Sequence, residues 1–320
     1  MYQSAASGIP RWLWCSLSFA TLLLAPWSTD AQELLRRPVP QPLAVNLFPS
    51  DSLLSAKEDY VPEWYSMITN IPKDWGRFVR TSFTQEKIPA MVGMTFLTVG
   101  LAATDDDSWR ISKRWRESSR MVENISNKFE DMGDGRPQFG LAAAFAAYGF
   151  VAKDKRALRT GSQTVEAILA CGTVIQVLKH LTGRESPFVS TQPGGRWDLF
   201  PNQIKYAKYV PHYDAYPSGH IATALTTVTV IVENYPEWWW ARPVGYTIVG
   251  LIGVAMGNTG IHWYSDYPLG LALGYAFGML AAHPEELGGI EGEFSVGKTN
   301  VSLGPVLLQD GAGLGLSCSF

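Results

Sequence analysis

Six apolar segments constrain the fold of this chain more than any other feature. Each is too long for a buried strand and lacks the alternation of apolar and polar residues that marks a half-exposed strand. With about 15 to 19 residues apiece, they are at or below the ~20 residues that a helix needs to span a bilayer. The sequence therefore predicts an all-α fold, a six-helix bundle within residues 88–285. The segments cover about residues 88–104, 138–152, 163–181, 220–235, 243–260 and 267–283.

The regions outside the bundle differ from it in composition. Residues 1–31 resemble a secretory signal peptide, with Arg11 before an apolar stretch and a possible cleavage site at Ala31; an uncleaved anchor is the alternative. The Pro-rich residues 32–87 predict an irregular lead. In the Gly-rich tail, residues 286–320, Asp310-Gly311 between apolar runs predicts a short β-hairpin.

The overall composition excludes some classes of function. A net charge of −3 gives no general affinity for nucleic acid. Charged residues make up only 17% of the chain, below the typical ~25%, and there are twelve tryptophans, which together favour a protein that contacts a membrane. Because no Cys-x2-Cys or similar ligand spacing occurs, we expect neither a metal site nor a cofactor.

The most informative histidine is His262, which Asp266 follows four residues later. If Asp266 opens the next helix, its carboxylate lies about one turn away and can accept a hydrogen bond from one ring nitrogen. That bond would fix the tautomer and leave the other nitrogen free as a nucleophile. The alternative is a His–Asp pair that only caps a helix.

A second group of candidate residues is Pro217-Ser218-Gly219-His220, which precedes an apolar run. This pattern predicts a loop that becomes a helix N-terminus, where free N–H groups and the positive end of the dipole favour an anion. Ser218 adds a donor, Gly219 allows close backbone approach, and His220 can protonate a leaving oxygen. The alternative is an ordinary serine cap with a chance histidine.

The third candidate group is the cationic end of the segment 163–181, with Lys179 and Arg184. Cations at a helix C-terminus are also expected for dipole reasons alone, but these two can clamp phosphate oxygens. In an up-down bundle, the end of one helix, the start of the next and the end of the one after it lie on the same face. We therefore expect Lys179, His220 and His262 to converge on one pocket.

These residues resemble the motifs of the type 2 phosphatidic acid phosphatase superfamily, which includes bacterial acid phosphatases and vanadium haloperoxidases. Its motifs are Lys-x6-Arg-Pro, Pro-Ser-Gly-His and Ser-Arg-x5-His-x3-Asp, and the resemblance covers roughly residues 88–283. It implies the helical bundle of that family, His262 as a nucleophile that forms a phosphohistidine, Asp266 as its orienting group and His220 as the general acid. It further implies that Lys179, Ser218 and Gly219 bind phosphate oxygens.

Two arginines of the family motifs are missing from this chain. The first-motif arginine falls at Ser186 and the third-motif arginine at Met256. Losing one donor to an oxyanion can cost ~10²–10³ in rate. We expect a relocated cation to compensate, with Arg184 and Arg196 as the candidates for phosphate binding and Lys205 or Lys208 as further possibilities.

The predicted function is metal-independent hydrolysis of a phosphate monoester or pyrophosphate, with a phosphorylated membrane lipid favoured over a small phosphomonoester. The alternatives are a vanadate-dependent haloperoxidase and a non-catalytic binder of anionic lipid. We expect an exported protein, embedded in or associated with the membrane, with its active site on the periplasmic side. The expected partners are the phosphorylated substrate and the membrane, and not nucleic acid.

Overall fold

The computed structural model describes residues 60–284 and the backbone of two short strands in the tail. Residues 60–284 form eleven α-helices, so the prediction of a helical fold holds while the count of six does not. The helices are α1 (Ser66–Thr69), α2 (Ile71–Ser82), α3 (Ile88–Ala102), α4 (Asp105–Glu117), α5 (Arg120–Gly133), α6 (Arg136–Ala152), α7 (Lys155–Thr182), α8 (Gln203–Lys208), α9 (Gly219–Asn234), α10 (Ala241–Thr259) and α11 (Tyr267–Ala282).

The tail contains two strands, β1 (Asn300–Leu308) and β2 (Gly311–Ser319). They pair antiparallel, with Asn300 opposite Ser319 and Leu308 opposite Gly311. Residues 309–310, where the hairpin turn is predicted, lie outside the described part of the chain, as do the predicted signal peptide and the first half of the lead.

The prediction of an irregular lead is wrong for residues 66–82, which form α1 and α2. Pro72 stands in the first turn of α2, where a missing N–H costs nothing, so it starts the helix instead of breaking it. Asp74 and Arg77 are buried on one face of α2. Arg77 donates to the carbonyl of Leu280 at 2.9 Å, which ties the lead to the end of α11.

The centre of the bundle is the packing of α7, α9 and α11. Ala170, Cys171 and Ile175 of α7 meet Ala222 of α9, and Leu273, Phe277 and Leu280 of α11 complete this core. α9 and α11 approach closely because glycines face the neighbouring backbone. A Cβ at Gly270 would lie 2.6 Å from the Ser218 carbonyl oxygen, and one at Gly274 would lie 2.5 Å from that of Ala222. These contacts hold the start of α9 against the start of α11.

The charged insertion at residues 105–137 forms two helices, α4 and α5, that pack on α10. α4 follows α3 after a bend of 62°. Three polar residues of this insertion, Asp105, Ser112 and Ser126, are buried. Asn258 of α10 donates to Ser126 Oγ at 3.1 Å, and Ser112 Oγ lies 3.1 Å from Tyr264 Oη.

Membrane-crossing potential is limited to few of the described helices. α7 alone is long and apolar enough by itself, and 44% of its most apolar window is buried within the bundle. The bent pair Gln85–Ala102 and Asp105–Glu117 passes the same test only when taken together. Several large apolar side chains are nevertheless exposed on α3, α6 and the turn before α10, such as Phe96, Phe150, Val151 and Trp239.

Candidate active site

The structure brings His220 and His262 into direct contact. His220 Nδ1 and His262 Nε2 are 3.0 Å apart, although 42 residues separate them in the chain. His220 stands in the first turn of α9, and His262 follows the end of α10. The two imidazoles meet with their planes at 68°.

The backbone carbonyl of Ala215 fixes the ring of His262. Its oxygen lies 2.7 Å from His262 Nδ1, and because a carbonyl only accepts, Nδ1 carries the proton. The lone pair of Nε2 then points at His220, which must donate its Nδ1–H to it. The predicted hydrogen bond to Asp266 is not present in this form, since Asp266 Oδ2 lies 3.6 Å from His262 Nδ1.

The loop after α10 aims His262 through a left-handed turn. Gly260, with φ of +79°, ends α10, and the carbonyl of Met256 accepts the N–H groups of Gly260 and Ile261. A short 3-10 turn at Tyr264–Asp266 follows, in which Asp266 Oδ2 accepts the N–H of Trp263 at 2.8 Å. Asp266 is thus a clamp on the backbone beside His262.

Lys179 and Asp214 are the two residues whose charges act most strongly on the His262 ring. Lys179 stands in the last turn of α7, is 5% exposed, and contacts Asp214 Oδ2 at 3.5 Å. A Cβ at Gly219 would lie 3.9 Å from Lys179 Nζ, so the ammonium faces the start of α9. Ser218 is fully buried, and within residues 60–284 no group lies within hydrogen-bonding distance of its Oγ.

Burial keeps both imidazoles neutral. Loss of solvation, followed by the nearby Lys179 charge, lowers the pKa of His262 to about 3. Loss of solvation, followed by the charges of His262 and Lys179, lowers the pKa of His220 to about 3. A neutral His262 is a competent nucleophile, whereas a general acid at His220 needs a proton that arrives with the substrate.

Arg184 lies on the opposite side of His262, behind Asp266. Its guanidinium is 1% exposed and bonds to Asp266 Oδ1 at 2.5 Å and to Asp105 Oδ2 at 2.7 Å. It also donates to Ser265 Oγ and to the Gly194 carbonyl. The structure therefore does not bring Arg184 to the Nε2 side with a donor to spare, in contrast to its predicted role as a phosphate ligand.

The other cations predicted to compensate for the missing arginines lie apart from the two histidines. Arg196 packs over the ring of Tyr213, and its Nε is 3.6 Å from Glu185 Oε1. Lys205 and Lys208 are exposed on α8. Of the cations that the sequence singled out, Lys179 is the one that stands beside both imidazoles.

The two positions at which the family arginines are missing are both buried. Met256 is completely buried in an apolar cluster with Ile221 and Ile252. Its ε-methyl would be 3.2 Å from a Cβ at Gly133, so no space exists there for a longer charged side chain. Ser186 is 2% exposed, and its N–H donates to the Pro211 carbonyl.

Sequence reasoning missed three groups of this site. The Ala215 carbonyl could not be predicted, because every residue has a backbone carbonyl and the residue type does not show which one bonds to His262. Asp214 is three residues before the Pro-Ser-Gly-His run, and this short distance in the sequence could have marked it as a residue of the site. Asp105 lies 160 residues before Ser265, and an acidic residue in the first turn of a helix is ordinary.

The sequence of this region matches a known family. Residues 162–284 match the model of the PAP2 superfamily, and this segment contains all the motif residues from Lys179 to Asp266. The resemblance drawn from those residues is thereby confirmed. No curated protein is similar enough in sequence to count as a match.

Two solved structures are similar to this chain over part of its length. One is Aquifex aeolicus LpxE, with 19% identity, a TM-score of 0.42, and coverage of 55% of this chain and 93% of that one. The other is a transmembrane PAP2 type phosphatidylglycerolphosphate phosphatase from Bacillus subtilis, with 16% identity, a TM-score of 0.41, and coverage of 59% and 92%.

Proposed function

Because residues 162–284 match the model of the PAP2 superfamily, we propose that this chain is a phosphatase that uses His262 as its nucleophile. The observation that carries this proposal is the 3.0 Å contact between His262 Nε2 and His220 Nδ1, with His262 Nδ1 bonded to the Ala215 carbonyl. One imidazole thus presents its lone pair, and the other stands where a leaving oxygen would receive a proton.

In the proposed reaction, a phosphate ester enters beside Lys179 and the buried Ser218 hydroxyl, and His220 turns from Nε2 towards the ester oxygen. His220 first takes up the proton that the phosphate monoanion brings in. Nε2 of His262 then attacks phosphorus, the phosphorus–oxygen bond to the alcohol breaks, and the cationic His220 gives that proton to the leaving oxygen. Water next attacks the phosphohistidine, the now neutral His220 takes a proton from that water and passes it to the departing inorganic phosphate, and both imidazoles are neutral again. Ser218, Gly219 and Lys179 stabilise the charge on the equatorial oxygens.

A phosphorylated lipid is the proposed substrate, with a monoester or a pyrophosphate as the reacting group. Support comes from the exposed apolar side chains of α3, α6 and the turn before α10, which favour contact with a membrane. The proposed location, exported with the site on the periplasmic side, rests on the apolar N-terminal segment and on the cationic residues 153–159, which lie between α6 and α7 and in the first turns of α7.

The test is phosphate release from a panel of phosphatidic acid, phosphatidylglycerol phosphate, undecaprenyl pyrophosphate, a lipid A analogue and p-nitrophenyl phosphate. We expect wild type to release phosphate from at least one lipid with EDTA present, and His262→Ala to release none. Activity that survives His262→Ala would contradict the phosphohistidine mechanism, and activity that EDTA abolishes would contradict metal independence.

A non-catalytic binder of anionic lipid is the second candidate. The observation that favours it is the small number of cations beside the two histidines. Arg184 forms ion pairs with Asp105 and Asp266, and Arg196 lies next to Glu185. A binder would retain lipid phosphate on vesicles without releasing phosphate from any panel member. Lys179→Gln would weaken that retention, whereas His262→Ala would not.

A further inference from the structure

The guanidinium of Arg184 has used every hydrogen-bond donor that an arginine possesses. Nη1 donates to Ser265 Oγ at 2.7 Å and to Asp266 Oδ1 at 2.5 Å. Nη2 donates to Asp105 Oδ2 at 2.7 Å and to the Gly194 carbonyl at 2.8 Å, which also accepts from Nε at 3.2 Å. Since arginine has five N–H groups, none remains for an incoming phosphate.

Two indole rings hold the plane of this guanidinium. Its Cζ lies 4.8 Å from the ring centroid of Trp197 and 5.3 Å from that of Trp263. Trp263 is itself buried, and its indole N–H donates to the Glu185 carbonyl at 2.8 Å. The fork geometry and the stacking both depend on a planar group, so lysine would keep the charge and lose the arrangement.

The Arg184 network reaches His262 through one intermediate residue. Asp266 accepts from Arg184 with Oδ1 and from the Trp263 N–H with Oδ2, beside His262. Ser265, which precedes Asp266, bonds to both Arg184 and Asp105. Arg184 therefore acts on the segment that carries the nucleophile, from the side away from Nε2.

Asp105 supplies the far end of this network and comes from another part of the chain. It is the first residue of α4 and is 1% exposed. Its Oδ2 accepts from Arg184 and from Ser265 Oγ, the latter at 2.5 Å. Because two buried carboxylates share one guanidinium, removing Arg184 would leave both carboxylates without a counter-ion. Removing the Asp105 carboxylate would instead leave an Arg184 N–H and the Ser265 hydroxyl without their acceptor.

We propose that Arg184, anchored by Asp105, is a positioning residue for His262 and Asp266 and not a ligand of the phosphoryl group. The proposal rests on the proposed function of His262, and it assigns to α4, which lies outside the matched segment 162–284, a part in the reaction.

The test compares Arg184→Lys and Asp105→Asn with the matched control Arg242→Lys in the full chain, on whichever panel substrate wild type hydrolyses. Arg242 is at the start of α10 and donates to Glu233 Oε1 at 2.9 Å. We expect kcat to fall about 10- to 100-fold in the first two, the range typical of partners that orient a functional side chain. The Ki of inorganic phosphate should stay within about twofold of wild type, and Arg242→Lys should resemble wild type. A rise in that Ki of about tenfold or more would overturn the proposal.

A readout independent of turnover separates positioning from general stability and from failure of the proposed function. The rate at which diethyl pyrocarbonate modifies His262 reports on the orientation and nucleophilicity of its ring, with the partly exposed residue His180 as internal control. We expect Arg184→Lys to change the His262 rate about tenfold and to leave the His180 rate unaltered, even if wild type hydrolyses nothing. Equal His262 rates in wild type and both variants, with only Tm lowered, would reduce Arg184 to a structural role.

Discussion

The two sides of the His262 ring differ in how completely their polar groups are paired. On the Nδ1 side, the Ala215 carbonyl, Asp266 and Arg184 form a buried set of short bonds that uses every Arg184 donor. On the Nε2 side, Lys179 has one contact at 3.5 Å, and no neighbour within the described residues bonds to the Ser218 hydroxyl.

We call the paired groups on the Nδ1 side, the Ala215 carbonyl, Asp266 and Arg184, the frame. We call the groups on the Nε2 side, Lys179 and Ser218 with His220, the binding face. Buried polar groups are normally hydrogen-bonded, so an exception next to a nucleophile marks a place for a ligand oxygen. A saturated network, in contrast, fixes geometry and has nothing left to offer a substrate. Substitutions on the two sides should therefore differ in kind, with binding affected on one side and orientation on the other.

The largest expected effect on activity is at His262, whose ring both sides share. We expect His262→Ala to lower kcat/KM by at least ~10⁴-fold, because no other group can form the phosphoenzyme. His180→Ala, at a partly exposed histidine in the last turn of α7, should keep wild-type activity. Phosphate release and acid-labile labelling with ³²P-substrate measure both, and a labelled His262→Ala chain would refute the assignment.

The next effect isolates His220 on the binding face. His220→Ala should lower kcat by ~10²–10³-fold on a lipid monoester, whose alkoxide needs a proton. On p-nitrophenyl phosphate the loss should be less than about tenfold, since nitrophenolate leaves without one. Equal losses on both substrates would show that His220 does not act as the acid.

A buried cation at position 256 tests whether the binding face can be given the missing family arginine. Met256→Arg should lower the free energy of unfolding by ~3 kcal/mol or more, because the charge would be unpaired in the apolar cluster. The volume-conserving Met256→Leu should cost less than ~1.5 kcal/mol. Thermal or denaturant unfolding measures both, and a stable Met256→Arg with tighter phosphate binding would show that the cluster opens to the site.

The pH dependence should report on both sides of the ring. Since burial lowers the pKa of His220 to about 3, the catalytic proton must arrive with the phosphate monoanion, whose second pKa is ~6. kcat/KM should then fall about tenfold per pH unit above ~6. Burial also raises the pKa of Asp266 to about 6, so below that pH the carboxylate gains a proton and loosens the Nδ1 side. A profile that is flat from pH 6 to 8 would contradict this.

The smallest effect concerns the one contact of Lys179. Asp214→Asn should bind inorganic phosphate about two- to fivefold more tightly, because Lys179 no longer shares its charge with a carboxylate. Asp198→Asn, in the loop before α8, is the control. Calorimetric titration with phosphate gives both constants, and weaker binding by Asp214→Asn would mean that Asp214 orients Lys179.

The binding face was more predictable from the sequence than the frame. Lys179, Ser218, His220 and His262 stand at helix ends, and helix ends on one face of a bundle meet. The frame depends on a main-chain oxygen, at Ala215, and on Asp105, whose importance comes from tertiary packing of α4. Arg184 was identified from the sequence as a candidate phosphate ligand, but the bonds that occupy its five N–H groups in the structure could not be read from its position in the chain.

The bond between Asp105 and Arg184 has a consequence for how the protein acquires its site. A fragment that begins after Glu117 would contain every motif residue, yet one N–H of its Arg184 and the hydroxyl of its Ser265 would lose the acceptor that Asp105 supplies. The nucleophile should therefore become ordered only after α4 has docked, and a chain cut between α4 and α5 should regain activity when the missing piece is added in trans.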